Sequence, residues 1–158
     1  MKSKDVTDSI RAPVLALDLG RQRVGVAVSD ALSISITRLD VIPRTNWKQL
    51  LRAVENLAHR FDAQTLVIGL PLKLDGSMGD AANLARQTAQ NFARSLKLPV
   101  YLQDERLTSA EAEANLRESG VRADEIGSRV DSEAAALILR DFLASDQQRI
   151  LVSTQLSE

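Results

Sequence analysis

An aspartate in the middle of an apolar strand constrains this chain more than any other feature. Val14-Leu-Ala-Leu-Asp18-Leu-Gly20 and Val24-Gly-Val-Ala-Val-Ser29 are two aliphatic, β-branched runs separated by Gly20 and three polar residues, the pattern of a β-hairpin. Asp18 falls between Leu17 and Leu19, where burying an unpaired carboxylate costs several kcal/mol. Something positive has to stand opposite it. The candidates are a local Arg, the N–H groups of the Gly20 turn, or a metal ion.

The rest of the chain gives that strand its neighbours. Ile34 to Ile42 reads as a third strand closed by Pro43. Asn46 with Gln49 three residues on has the form of a helix cap, and Leu50, Leu51, Val54, Leu57, Ala58 and Phe61 repeat at helical spacing for about four turns. Thr65 to Leu70 is wholly apolar, as in a strand covered on both faces and parallel to the first. Pro71 to Gly79 breaks regular structure and leads to a helix capped near Asp80 that buries Ala81, Leu84, Ala85, Thr88, Phe92 and Leu96. Val100 to Gln103 is the next strand, ending in Asp104-Glu105-Arg106. Thr108 and Glu111 form a capping box for a helix that stops at Gly120, and Val130 to Leu143 is a last helix with Ala134, Leu137, Ile138 and Leu143 inward. The expected architecture is α/β: a mixed five-stranded sheet, three antiparallel strands then two parallel, flanked by helices. One domain, residues 13–144, lies between polar tails at 1–12 and 145–158.

Composition narrows the function. With 158 residues and 44% hydrophobic content the chain is long enough for one well-buried core and short for two. It has no Cys and one His, His59, which excludes disulfides, thiolate chemistry and His-rich zinc sites. No apolar run is long enough to span a bilayer and the start lacks a leader's apolar middle, so a soluble, cytoplasmic protein with no membrane partner is expected. The net charge is −1, but residues 1–60 carry ten Lys/Arg against six Asp/Glu and residues 61–158 ten against fifteen. The Arg-weighted half could face a phosphate backbone while the other half supplies acids; ordinary scatter of surface charge gives the same split.

Three acids stand out: Asp18 on the first strand, Glu105 at the end of the last, and Asp131 at the start of the last helix. The sheet drawn above ends its first and last strands on one edge, where sites form in open α/β sheets. A carboxylate group without Cys or His is the ligand set of a hard divalent cation, Mg²⁺ or Mn²⁺, and such ions serve phosphate chemistry. Each acid also has a structural reading. Asp131 could favour a helix N-terminus, and Glu105 could pair with Arg106 or cap the next helix. Asp30 and Asp75 read as turn residues, and Trp47 as a packing residue where its helix starts.

Leu17-Asp18-Leu-Gly20 with Arg23-Val-Gly-Val-Ala-Val-Ser-Asp30, Val67-Ile-Gly69-Leu-Pro71 with Asp75-Gly76, Asp104-Glu105-Arg106-Leu-Thr108, and Val130-Asp131-Ser132 with Ala134-Ala135 and Ile138-Leu139 together resemble the YqgF family over residues 13–144. The resemblance implies a ribonuclease H-like fold related to the Holliday junction resolvases. It also implies a nuclease maturing the 5′ end of pre-16S ribosomal RNA, with its acidic site on Asp18, Glu105 and Asp131. The chain departs from the family pattern at Arg21, where a hydroxyl residue is usual, and at Arg129, where Lys is frequent. The resulting expectation is a metal-dependent endonuclease in which the three acids hold Mg²⁺ or Mn²⁺. Arg21, Arg23, Arg106 and Arg129 are its candidate ligands for the nucleic-acid backbone. Its substrate is a structured RNA precursor or branched DNA, a pre-ribosomal particle is a further candidate partner, and the chain acts as monomer or homodimer. Two rivals differ in class. A sugar-kinase or actin-like ATPase needs a second strand-Asp-x-Gly hairpin, which is missing here. A nucleic-acid-binding module with a relic acidic site would bind without cutting.

Overall fold

The computed structural model describes residues 10–106, 114, 117, 118, 120, 123–144 and 149–152, and over 123–131 the backbone alone. Its elements are β1 (Val14–Leu19), β2 (Arg23–Ser29), β3 (Ile36–Pro43), α1 (Trp47–Arg60), β4 (Thr65–Leu70), α2 (Asp80–Ser95), β5 (Val100–Asp104), α3 (Ala123–Ala144) and β6 (Arg149–Leu151). The sheet order is β3-β2-β1-β4-β5-β6. β1, β2 and β3 are antiparallel neighbours, β4 and β5 run parallel to β1, and β6 returns antiparallel to β5.

The sheet is α/β and mixed, but it has six strands where the sequence predicts five. Arg149–Leu151 pairs with Tyr101–Gln103 of β5. Three residues are too few to show an alternation, and Ile150 and Leu151 are both more than half exposed, so nothing in their pattern announces a strand. β3 also starts later than expected. Asp30 accepts the N–H groups of Ile34 and Ser35 at 2.7 and 3.2 Å, and Ser33 takes a positive φ of 59°, so Ile34 belongs to the turn. Asp75 likewise accepts from the Ser77 N–H and hydroxyl in the β4–α2 loop.

α1 begins as its cap predicts, with Asn46 Oδ1 accepting the Gln49 N–H at 2.9 Å. α2 keeps four of its six expected inward residues, Ala85, Thr88, Phe92 and Leu96, and turns the other two outward. It buries Ala82, Ala85, Thr88, Ala89, Phe92 and Ala93, its N-cap is Gly79, and Ala81 and Leu84 face outward. Small alanines can approach a sheet closely on either side of a helix, so the apolar stripe has no unique phase until Phe92, which meets Trp47 edge-on at 4.8 Å, fixes it. The helix expected from Thr108 to Gly120 falls mostly outside the described residues.

Alternation divides the sheet into two faces. Leu15, Leu17, Val24, Val26, Leu66, Ile68, Val100 and Leu102 point to the side covered by α1 and α2. Val14, Ala16, Ala27, Val67 and Tyr101 point to the side covered by α3, whose Ala135, Ile138, Leu139 and Phe142 are buried against them. No described helix is long and apolar enough to cross a membrane.

Candidate active site

The same alternation places Asp18, two residues after Ala16, on the α3 face at the carboxyl end of β1. Register sets its neighbours: Leu17 pairs with Ile68, so Gly69 of β4 stands beside Asp18, and Gly69 pairs with Gln103 of β5, two residues before Glu105. Asp18, Gly69 and Glu105 thus follow one another across three adjacent strands on one face. Outer strands of such a triplet lie about 10 Å apart, and the longer Glu side chain spans the gap over the glycine. A Cβ at Gly69 would lie 2.9 Å from the Glu105 carboxyl and 2.6 Å from Ile138 Cδ1, closer than atoms pack. Any side chain here would displace the Glu105 carboxyl or the end of Ile138.

Over Gly69 the two acids meet. Glu105 is pushed up to about 9, first by burial, then by the Asp18 charge and a side-chain hydrogen bond with Asp18, and last by Asp104. Two carboxyls hydrogen-bond only if one keeps a proton. Glu105 keeps it and donates to Asp18, which is 9% exposed. A buried pair holding one proton between two oxygen-rich groups suits a divalent cation, which would supply the missing positive charge in the proton's place. Among the described residues no third acid or His completes a ligand group.

The side chains of Asp131 and Arg129 lie outside the described residues. The backbone of Asp131 belongs to α3, on the face that carries Asp18 and Glu105. The residues after it are fastened to β3: the Ser132 hydroxyl donates to the Leu39 carbonyl at 2.8 Å, and the buried Glu133 receives the Arg38 guanidinium through both oxygens. Leu39 pairs with Val26, and Val26 with Leu17, so this anchor sits at the level of the acidic pair.

The arginines differ. Arg23 falls on the Asp18 face of β2 by alternation, and Arg21 is exposed in the β1–β2 turn. Arg106 does not pair with Glu105. Its backbone N–H and guanidinium donate to the Asp104 carboxylate at 2.7–2.9 Å, and its Nη1 points to the Leu74 carbonyl at 3.5 Å, which ties the β4–α2 loop to the end of β5. Sequence reasoning quotes Gly69 in a motif without giving it a role, and passes over Arg44. A lone glycine inside an apolar strand is the signal for the first. The second has none, because its partner, the Gly20 carbonyl at 2.9 Å, is 24 residues away.

Residues 12–145 match the family model described as RuvX: Holliday junction resolvase. A relative in Anaeromyxobacter sp. (strain Fw109-5), described as "Putative pre-16S rRNA nuclease", is 43% identical over 82% of this chain and 94% of its own. One of the same description in Synechococcus elongatus is 39% identical over 85% and 89%. Among solved structures, RuvC of T. thermophilus in complex with a Holliday junction substrate superposes with a TM-score of 0.52 at 16% identity, over 84% of this chain and 96% of that one, a likeness of fold. Fold, match length and relatives agree: the chain belongs to the RuvX family.

Proposed function

We propose that the chain is a metal-dependent endonuclease that hydrolyses phosphodiester bonds at the 5′ end of pre-16S ribosomal RNA, acting in the cytoplasm on a pre-ribosomal particle. The observation that carries the reading is the convergence of the buried Asp18 and Glu105 carboxyls over Gly69 at the end of the sheet. It is supported by membership of the RuvX family and by the description its relatives carry. Asp18, Glu105 and Asp131 are the proposed ligands of Mg²⁺ or Mn²⁺, since oxygen donors without Cys or His select hard cations. The cation, when bound, supplies the Lewis acidity that activates water and neutralises charge at the scissile phosphate.

The protein's own part is placement. Gly69 lets the two carboxyls converge, and burial strips them of water, so that a cation is held tightly. Arg21, Arg23 and Arg129 are proposed to hold the phosphates on either side of the cut, as guanidinium forks do. Arg106, already on Asp104, steadies the adjoining loop while it faces the strand. Branched DNA is the second reading, favoured by the family's description as Holliday junction resolvases. Wild type and Asp18→Asn, titrated with Mg²⁺ against a pre-16S RNA fragment and a four-way DNA junction, separate these readings. Cleavage of the RNA by wild type alone supports the proposal, cleavage of the junction alone transfers it to DNA, and equal cleavage by both proteins overturns the assignment of the acids.

A further inference from the structure

A second feature opens on the same sheet edge from the other face. Where β1 ends, Asp18 turns toward α3 but Leu19 turns toward α2, and between the β1–β2 turn and the first turns of α2 lies a groove of about 490 Å³. That volume lies within the range of about 300–1,000 Å³ usual for small-ligand sites. Its lining is of two kinds. Arg21 and Arg44 are its cationic residues, Leu19, Pro71 and Leu84 are among its apolar ones, and Asp80 is its acidic one. Leu84 is 50% exposed, a leucine that the folded chain leaves in solvent beside two cations. Arg44 is fixed there by donating Nη1 to the Gly20 carbonyl, and its backbone N–H donates to the Gln22 carbonyl at 2.9 Å.

We propose that this groove receives one unpaired nucleotide of the nucleic-acid substrate, next to the phosphodiester at the acidic pair. The inference rests on the nuclease reading and adds a subsite to it. Its reasons are charge and continuity. A nucleotide presents an anionic phosphate and a flat apolar base face, which match the two arginines and the apolar Leu84 and Pro71. Asp80, an acceptor, suits an exocyclic amine or a ribose hydroxyl and disfavours a second phosphate. The groove is reached from Asp18 through Leu19-Gly20-Arg21, so a strand crossing the end of β1 passes from the acids into it. A double helix is too wide to enter, so the strand must be unpaired at that point.

The test compares binding of two labelled dodecamers by fluorescence anisotropy, with EDTA present so that no strand is cut. One is oligoadenylate and the other the same ribose-phosphate chain without bases. The full-length wild type is set beside Leu84→Ala, Leu84→Glu and Arg44→Gln. Ile34→Glu puts the same charge on an exposed apolar residue of the β2–β3 turn, at the opposite end of the sheet. Wild type should prefer the base-bearing strand, and Leu84→Ala should weaken that strand roughly fivefold to tenfold while leaving the base-free one unchanged. Leu84→Glu should abolish the preference, Ile34→Glu should keep it, and Arg44→Gln should weaken both strands. Leu84 is exposed, so its variants should melt with wild type. Wild-type binding with the preference intact in both Leu84 variants overturns the subsite and leaves the nuclease reading standing. Failure of wild type to bind either strand overturns the subsite, and failure to bind a structured RNA with Mn²⁺ in place of EDTA overturns the nuclease reading as well.

Discussion

The two faces of β1, β4 and β5 are made by alternate residues of the same strands, and they do different work. On the α1–α2 side, Leu17, Ile68 and Leu102 continue an apolar wall to the carboxyl edge, all at 2% exposure or less. On the α3 side the wall begins in the same way with Ala16, Val67 and Tyr101, then changes to Asp18, Gly69 and Glu105. One face is filled by large side chains and stabilises the fold through burial. The other is hollowed by a glycine and holds two carboxyls too close for both to ionise, which is how a site that needs a cation differs from a core. Stability and chemistry are therefore separable by residue parity.

Substitutions on the two faces should separate in the same way. The largest loss of stability is expected for Phe92→Ala, about 3–5 kcal/mol in urea unfolding, with cleavage per folded molecule close to wild type. Gly69→Ala puts a methyl group where Glu105 and Ile138 already meet. It should cost about 1–3 kcal/mol and, unlike Phe92→Ala, remove cleavage from the molecules that remain folded. Glu105→Gln should do the reverse of the core change and stabilise an inactive protein. The folded chain keeps the Glu105 proton up to about pH 9, and the unfolded chain loses it near its ordinary 4.5. The stability that goes with that proton is complete below the lower value and is lost as pH rises toward the higher. In EDTA the variant should match wild type near about pH 4 and exceed it by at least about 1 kcal/mol near about pH 8, since each pKa unit is worth about 1.4 kcal/mol. The smallest effect belongs to Arg106→Ala. It breaks a solvent-screened pair with Asp104, which contributes little to stability, and should raise proteolysis in the Pro71–Gly79 loop with little change in melting.

Much of this was legible in the sequence where a local rule had one answer. The β1–β2 hairpin, the apolar β4 and the Asn46 cap follow from alternation, strand composition and cap chemistry. Asp18 stood out because a carboxylate between two leucines needs an explanation. Illegible were the features set by partners distant in sequence. The outward turn of Ala81 and Leu84 depended on which alanines met the sheet, β6 on pairing available only at the edge of β5, and the role of Gly69 on a Glu and an Ile from two other elements. Leu84 read as core because helical spacing alone does not say which side of a helix a groove will occupy.

The central claim is that the proton shared by Asp18 and Glu105 marks a cation site. Calorimetric titration of Mn²⁺ into the metal-free protein near about pH 7.5, repeated in two buffers of different ionisation enthalpy, counts the protons released on binding. The account expects about one proton per ion, and at least tenfold weaker binding in Asp18→Asn. Binding without proton release, at an affinity that Asp18→Asn leaves unchanged, would contradict it.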